Sequence, residues 1–191
     1  MSLIPAFEIG VWNAWIFMVY YILGIPLTRL INKGAVEKSD VAAPAYKGTN
    51  DKIVKFYQLS YLLLLIYSVF LPLRLGTMWF YIGLAICLVG LITLTITMVN
   101  FATNPLDEPV TKGLYRYSRH PMYLTQFLMF IGVGIASASW VFLLLSILRT
   151  IASFMLMTPE ERFCLEKYGN TYREYMNTTP RWIGIPKSEA K

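Results

Sequence analysis

Charged residues are scarce in this chain: they make up 15% of its 191 residues, whereas apolar residues make up 56%. Soluble domains contain about a quarter of charged residues, so the composition excludes an ordinary soluble protein. A helix needs about 20 apolar residues to cross the roughly 30 Å of hydrocarbon in a bilayer. The long runs without charge therefore predict an integral membrane protein.

Histidine and cysteine are scarce as well, with His120 as the single histidine and Cys87 and Cys164 as the two cysteines. A zinc-type centre needs several such ligands at fixed spacing, so no metal site is predicted. One cysteine lies in an apolar run and the other in a charged tail, which argues against a disulfide framework. The chain also lacks internal repeats, which weighs against solenoids and inverted-repeat transporters.

Four uncharged runs are long enough to hold membrane-spanning helices, and the last, from His120 to Glu160, is interrupted only by Arg149. That run fits two short helices with a turn at residues 136–139 and Trp140 as an interface anchor. A cleaved signal peptide is the competing interpretation of the first run, but this run lacks a basic start. We therefore predict an all-α polytopic fold in a single domain, residues 1–191, with about five spans at 9–28, 56–73, 78–100, 121–137 and 139–157.

Positive charge is distributed unequally about these spans, since every lysine and arginine except Arg74 and Arg149 falls on one side. Cationic loops mark the cytoplasmic face, so we predict an external N-terminus and a cytoplasmic C-terminus, which requires an odd number of spans. A basic rim beside anionic headgroups accounts for the net charge of +6. No nucleic-acid partner is therefore predicted, and residues 32–49 are interpreted as a flexible connector.

Two segments on the basic side differ from lipid-facing helix: residues 101–123 and 158–186. The second opens with Thr158 and Pro159, a pattern typical of a helix start. We predict that this helix breaks near Gly169 and stops before Pro180. The first segment ends in a basic, aromatic stretch, so polar groups from both segments are expected at one membrane border.

Arg119 and His120 in the first segment, and Glu160 and Glu161 in the second, lie where they can face each other across a cleft. Together with nearby tyrosines they supply the donors, acceptors and aromatic surface that a zwitterionic ligand needs. The plainer interpretations are an interfacial aromatic belt, helix capping and surface ion pairs. Ser118 lacks the signature of a nucleophile, so no hydrolase is predicted.

Arg149 is a charge inside a predicted span. Such a charge is costly and normally faces a polar pathway or a partner. The alternative is that its side chain extends to the membrane interface, and the residue alone does not decide between the two.

Two motifs carry a family resemblance: Arg119-His120-Pro121-Met122-Tyr123 and Glu160-Glu161. Their flanks agree with it, namely Gly113-Leu114-Tyr115 before the first motif and Tyr168-Gly169-Asn170-Thr171-Tyr172-Arg173-Glu174-Tyr175 after the second. Over residues 110–186 the chain resembles the isoprenylcysteine carboxyl methyltransferases and the related phospholipid methyltransferases.

This resemblance implies an S-adenosylmethionine-dependent enzyme that binds its cofactor in a cytoplasmic cleft and receives a lipophilic acceptor sideways from the bilayer. Arg119 and Arg149 are the candidates for positioning the substrate. The resemblance implies an isoprenylcysteine-type carboxylate as the default acceptor. The alternatives are an enzyme that methylates a phospholipid amine and a non-enzymatic protein that binds lipid headgroups. The implied cofactor-binding residues are Val110, Tyr115, His120, Pro121, Met122, Tyr123, Glu160 and Glu161.

The chain departs from the family pattern at two positions. Thr125 stands where the motif often has glycine, and Leu156 stands where the carboxyl methyltransferases place an arginine. Arg149 lies two helical turns before Leu156 on the same face, so we consider it a substitute for the missing arginine. A contact between Leu156 and a substrate carboxylate is not expected.

Overall fold

The computed structural model describes residues 7–20, 22–23 and 51–186. Its helices are α1 (Asp51–Val69), α2 (Met78–Thr103), α3 (Pro121–Ala136), α4 (Trp140–Tyr168) and α5 (Asn170–Thr178), with a 3-10 turn at Gly113–Arg116. Residues 15–20 and 22–23 are also helical, and the described part contains no strand. Part of the predicted first span and the whole connector 32–49 lie outside the described residues.

Length and composition qualify α1, α2 and α4 as membrane-spanning helices, and α3 is a shorter apolar helix. Their outer faces expose large apolar side chains, for example Leu62 on α1, Ile92 on α2 and Ile151 on α4, which are 48%, 59% and 50% exposed. Such surfaces are unfavourable in water and suit hydrocarbon. The predicted all-α polytopic membrane fold is therefore confirmed.

Helices α1 to α4 run antiparallel to the helices that they pack against. Tyr57 near the start of α1 and Tyr67 near its end contact Arg149 and Ser139 of α4, respectively. Glycines of α2 meet α3 in the same reversed order, because Gly83 lies against Ala136 and Gly90 against Met129. The starts of α1 and α3 and the carboxyl ends of α2 and α4 consequently share one end of the bundle, which we call the site end.

The opposite end of the bundle is closed by two turns and the N-terminal residues. The Arg74 N–H donates to the Ala136 carbonyl at 3.0 Å, and the Ala14 N–H donates to the Leu71 carbonyl at 2.9 Å. The α3–α4 turn falls at the predicted residues, and Ser139 caps α4 by accepting a 3.2 Å hydrogen bond from the Phe142 N–H. Short polar side chains make this tight reversal favourable.

The helix predicted to start at Thr158 does not begin there, because α4 continues through Pro159 to Tyr168. An interior proline removes one backbone hydrogen bond and disfavours a straight helix. Here the buried contacts of Glu161 lie beyond the proline and stabilise the extra turns. The break predicted near Gly169 is confirmed, since this residue has φ of 57° and separates α4 from α5.

Candidate active site

His120 lies directly before α3, with Pro121 at the first helical position. Its imidazole is buried between two carboxylates: Nε2 is 3.2 Å from Oε1 of Glu161 and Nδ1 is 3.4 Å from Oε2 of Glu160. These acids lie in the last turns of α4. The structure therefore brings together the two motifs that the sequence predicted to face each other.

Glu161 is the most fully engaged of these groups, and only 3% of the residue is exposed. Arg119 Nη2 lies 3.1 Å from its Oε1, and Arg181 Nε lies 3.1 Å from both of its oxygens. Arg181 Nη2 also donates to Oε2. With His120 included, three cationic side chains surround this carboxylate and use its acceptor capacity.

Glu160 has a different environment from its neighbour, with 24% of its side chain exposed. It accepts a hydrogen bond from the Tyr123 hydroxyl, and the rings of Tyr123 and His120 are stacked with centroids 6.0 Å apart. Glu160 is therefore an accessible acceptor beside an aromatic surface, whereas Glu161 is an internal counterion.

The segment after α5, which we call the C-terminal strap (residues 180–186), crosses this site. Its backbone is held by hydrogen bonds from the Arg119 N–H to the Pro180 carbonyl at 3.1 Å and from the Gly184 N–H to the Tyr117 carbonyl at 3.0 Å. The ring of Trp182 packs edge-on against Phe154 with centroids 4.1 Å apart. The strap places Arg181 on Glu161.

Two buried nitrogens at the site have no hydrogen-bond partner among the described residues: Nε of Arg119 and Nδ2 of Asn100. Asn100 lies near the end of α2, and its Nδ2 is 1.9 Å from the place where a Cβ on Gly113 would be. Gly113 has φ of 62°, so both its conformation and its surroundings require glycine. Buried donors without a partner are uncommon in folded proteins, so these two nitrogens are candidates for binding a ligand or water.

The remaining predicted cofactor residues surround the same end of the bundle. Val110 is half-buried in a loop that Asn104 closes by donating to the Glu108 carbonyl at 3.0 Å. Tyr115 is buried in the 3-10 turn, and its carbonyl accepts a 2.7 Å hydrogen bond from the Tyr175 hydroxyl. Pro121 is buried and Met122 is half-buried at the start of α3. Their roles as cofactor ligands stay predictions.

The two departures from the family pattern are both accommodated inside the bundle. The Thr125 hydroxyl donates to the carbonyls of Pro121 and Met122 at 3.0 and 3.1 Å, so it is satisfied within α3. Leu156 is fully buried and offers no polar group. Arg149 lies deeper in α4 and contacts Tyr57 of α1 and Gln126 of α3.

Residues that the sequence analysis did not single out also take part. Arg181 was considered only as one of many basic residues, and no periodic signal marks it. Asn100 lies at the end of an apolar run and Tyr57 near the start of another. These positions become informative only when the fold places them beside the two motifs.

Burial lowers the pKa of His120, but the hydrogen bonds and charges of Glu160 and Glu161 outweigh burial, so the pKa of His120 lies above its ordinary value. The charged imidazole then stabilises the fold. That contribution is fully present below the unfolded pKa of about 6.5 and is lost as pH rises through the raised folded pKa.

We expect the melting temperature of the wild type to fall more steeply with rising pH than that of His120→Gln, because the variant has no imidazole to lose its charge. Thermal scans from neutral to alkaline pH test this, and parallel curves would contradict it.

Comparison with known protein families identifies one that matches this chain. Residues 71–171, more than half of the chain, match the family model described as phospholipid methyltransferase. The match includes both motifs and the whole of α4. No curated protein matches the chain. The family supports a membrane methyltransferase that acts on lipid, and it confirms the superfamily resemblance. The chain belongs to the phospholipid methyltransferase family.

Proposed function

We propose that this protein transfers a methyl group from S-adenosylmethionine to the amine of a phospholipid at the site end of the bundle. The observation that carries the proposal is the cluster of His120, Glu160 and Glu161, which joins the two motifs within the family match. The cluster lies where α3 begins and α4 leaves the apolar region, next to the lipid from which an acceptor would enter.

The chemistry of the available groups fits the cofactor, which carries an ammonium, a carboxylate, ribose hydroxyls and an aromatic base. Glu160 is the accessible acceptor for the ammonium or the hydroxyls, since Glu161 is already surrounded by cations. The unpartnered Nε of Arg119 and Nδ2 of Asn100 are donors suited to the carboxylate. When bound, S-adenosylmethionine supplies an electrophilic methyl group on a sulfonium.

The chain's own residues contribute positioning and exclusion of water rather than acid–base catalysis. His120 faces a carboxylate at each ring nitrogen, which favours its protonated form and leaves neither nitrogen free to act as a base. A displacement at a methyl group gains most from alignment and partial desolvation. The fixed contacts of α3, α4 and the C-terminal strap provide such a rigid frame.

The choice of acceptor rests on two observations. The matching family model is that of the phospholipid methyltransferases, and Leu156 is a fully buried apolar residue where the carboxyl methyltransferases have an arginine. Both favour an amine over the isoprenylcysteine-type carboxylate that the sequence resemblance implied as the default. We further propose that the site end faces the cytoplasm, because among the described residues Arg74 lies at the opposite end, whereas the other lysines and arginines except Arg149 lie at or near this one.

Calorimetric titration of S-adenosylhomocysteine into detergent-purified protein tests the cofactor site. We expect Glu160→Ala to weaken binding about tenfold or more, because a charge-assisted hydrogen bond is lost. Glu166→Ala is the matched control, since Glu166 is an exposed acid on the same helix, and it should bind as the wild type does. Absence of binding to folded wild type would overturn the proposal.

Transfer of a labelled methyl group then tests the acceptor. Phosphatidylethanolamine should be labelled in preference to N-acetylfarnesylcysteine. Preference for the farnesylated carboxylate would instead restore the isoprenylcysteine alternative. Binding of cofactor without transfer to either lipid would favour a non-enzymatic binding protein on the same scaffold.

A further inference from the structure

Arg149 is a buried cation in the apolar part of α4, with 4% of the residue exposed. Its Nη1 donates to the Tyr57 carbonyl at 3.0 Å, and its Nη2 donates to the Tyr57 hydroxyl at 2.9 Å and to Oε1 of Gln126 at 3.2 Å. All of these acceptors are neutral. Among the residues that the structure describes, no carboxylate lies within ion-pair distance of this guanidinium.

Aromatic rings complete the surroundings of the guanidinium. Its Cζ is 4.1 Å from the ring centroid of Tyr57, 5.1 Å from that of Tyr61 and 5.6 Å from that of Phe130. Such faces hold a cation in place without neutralising it. A neutral side chain would link the three helices at lower cost in a bilayer, so the buried charge is explained if an anion binds here.

The position of the guanidinium connects it to the cofactor site. Tyr57 lies in the second turn of α1 and Gln126 in the second turn of α3, which places the charge about 10 Å inside the site end. The rings of Tyr57 and Tyr123 meet edge-on with centroids 6.2 Å apart. Since the Tyr123 hydroxyl donates to Glu160, Arg149 and the cofactor site are separated by a single pair of tyrosines.

The order of these groups from the bilayer towards the site end matches the order of groups in an amine-bearing phospholipid. In such a lipid the acyl chains are followed by the phosphate and then by the amine. An acceptor methylated on a carboxylate would instead have to bring its anion to the methyl donor itself. Three of the five N–H groups of the Arg149 guanidinium are donated to Tyr57 and Gln126, so its charge and its remaining donors are available to a phosphate.

We propose that Arg149 is a positioning residue that binds the phosphate of the lipid acceptor and thereby directs its amine to the cofactor site. This inference rests on the proposed function only in that the amine is the group to be methylated. The binding of the phosphate by Arg149 is a separate property of the protein and is measurable without turnover.

The test compares two soluble lipids by calorimetry: dihexanoylphosphatidylethanolamine and a dihexanoylglycerol ether of ethanolamine that lacks the phosphate. We expect the wild type to prefer the phosphate-bearing lipid, and Arg149→Gln to reduce that preference about tenfold or more. Arg173→Gln is the matched control, because Arg173 is an exposed arginine on α5, and it should keep the preference. The ratio of two affinities in one sample is insensitive to a partial loss of folded protein.

Three results would overturn the inference. The first is an unchanged preference in Arg149→Gln, and the second is an equal weakening of both lipids, which indicates a structural role alone. The third is equally tight binding of inorganic phosphate, which would make the ligand a free anion rather than a headgroup. If Arg149→Gln does not fold, Arg149→Lys decides by the same ratio, since an ammonium keeps the charge but loses the planar set of guanidinium donors.

Titration of S-adenosylhomocysteine into the same samples separates this inference from the proposed function. Loss of the phosphate preference with cofactor binding intact in Arg149→Gln supports the inference. Absence of cofactor binding in the wild type overturns the proposed function while the lipid ratio still decides the role of Arg149. Turnover, where present, should show a raised KM for phosphatidylethanolamine in Arg149→Lys with a smaller change in kcat.

Discussion

Replacing Glu161 by glutamine should lower the free energy of unfolding by about 3 kcal/mol, because it leaves buried cations without their counterion. The carboxylate lies against His120, Arg119 and Arg181, and its side chain is 4% exposed. Arg181 is 35% exposed and can recover solvation, so the lower end of the range for broken buried pairs applies. A glutamine amide is neutral and would also present N–H groups to these donors.

Cofactor binding should be lost together with stability in Glu161→Gln, since this carboxylate holds α3, α4 and the C-terminal strap in register. Denaturant unfolding in detergent measures the first effect, and titration of S-adenosylhomocysteine measures the second. Glu166→Gln is the control, because it removes an exposed acid from the same helix. An unfolding midpoint equal to that of the wild type would show that the three cations do not depend on Glu161.

The contact between the two motifs was predictable from the sequence because each motif adjoins a membrane border on the same side. Charged residues that flank membrane-spanning runs lie at the membrane interface, so the polar ends of α3 and α4 are expected at the same interface. The turn at residues 136–139 was predictable for a similar reason, since small polar residues interrupt a run long enough for two helices. Apolar length and charge position thus determined these features.

The role of Arg181 was not predictable, because it depends on how the chain returns after α5. The C-terminal strap has no periodic pattern, and its course is determined by backbone hydrogen bonds to Tyr117 and Arg119. The different environments of Glu160 and Glu161 were not predictable either. In sequence the two are adjacent identical acids, and they differ only in the direction of their side chains in the fold. Both features are properties of tertiary packing.

The course of α4 past Pro159 shows how local rules are overridden. The pair Thr158 and Pro159 is typical of a helix start, yet the helix is continuous there. A proline costs about 3 kcal/mol inside a helix, and the buried ion contacts of Glu161 lie only two residues further on. Thr158 and Pro159 do favour a helix start, but the prediction that a helix begins there was wrong.

The packing of α2 against α3 depends on the absence of side chains at three glycines. A Cβ on Gly83 would lie 2.2 Å from the Ala136 nitrogen, one on Gly90 would lie 2.5 Å from the Met129 nitrogen, and one on Gly132 would lie 2.4 Å from the Cys87 nitrogen. In each case the obstacle is backbone, which cannot rotate away. Small residues allow this close approach of helices in a membrane, where packing replaces the hydrophobic driving force.

Gly90→Leu should therefore cost about 3 kcal/mol or more, at the upper end of the range for overpacked interiors, because two helix backbones must separate. The gain in helix propensity, about 1 kcal/mol, is too small to compensate. Ala85→Leu is the matched control, since Ala85 is an exposed residue on the same helix and its enlarged side chain would face lipid. Thermal unfolding in detergent should show a large fall in melting temperature for Gly90→Leu alone. Equal melting temperatures for the two variants would mean that α2 and α3 are not in the close contact on which the placement of His120 depends.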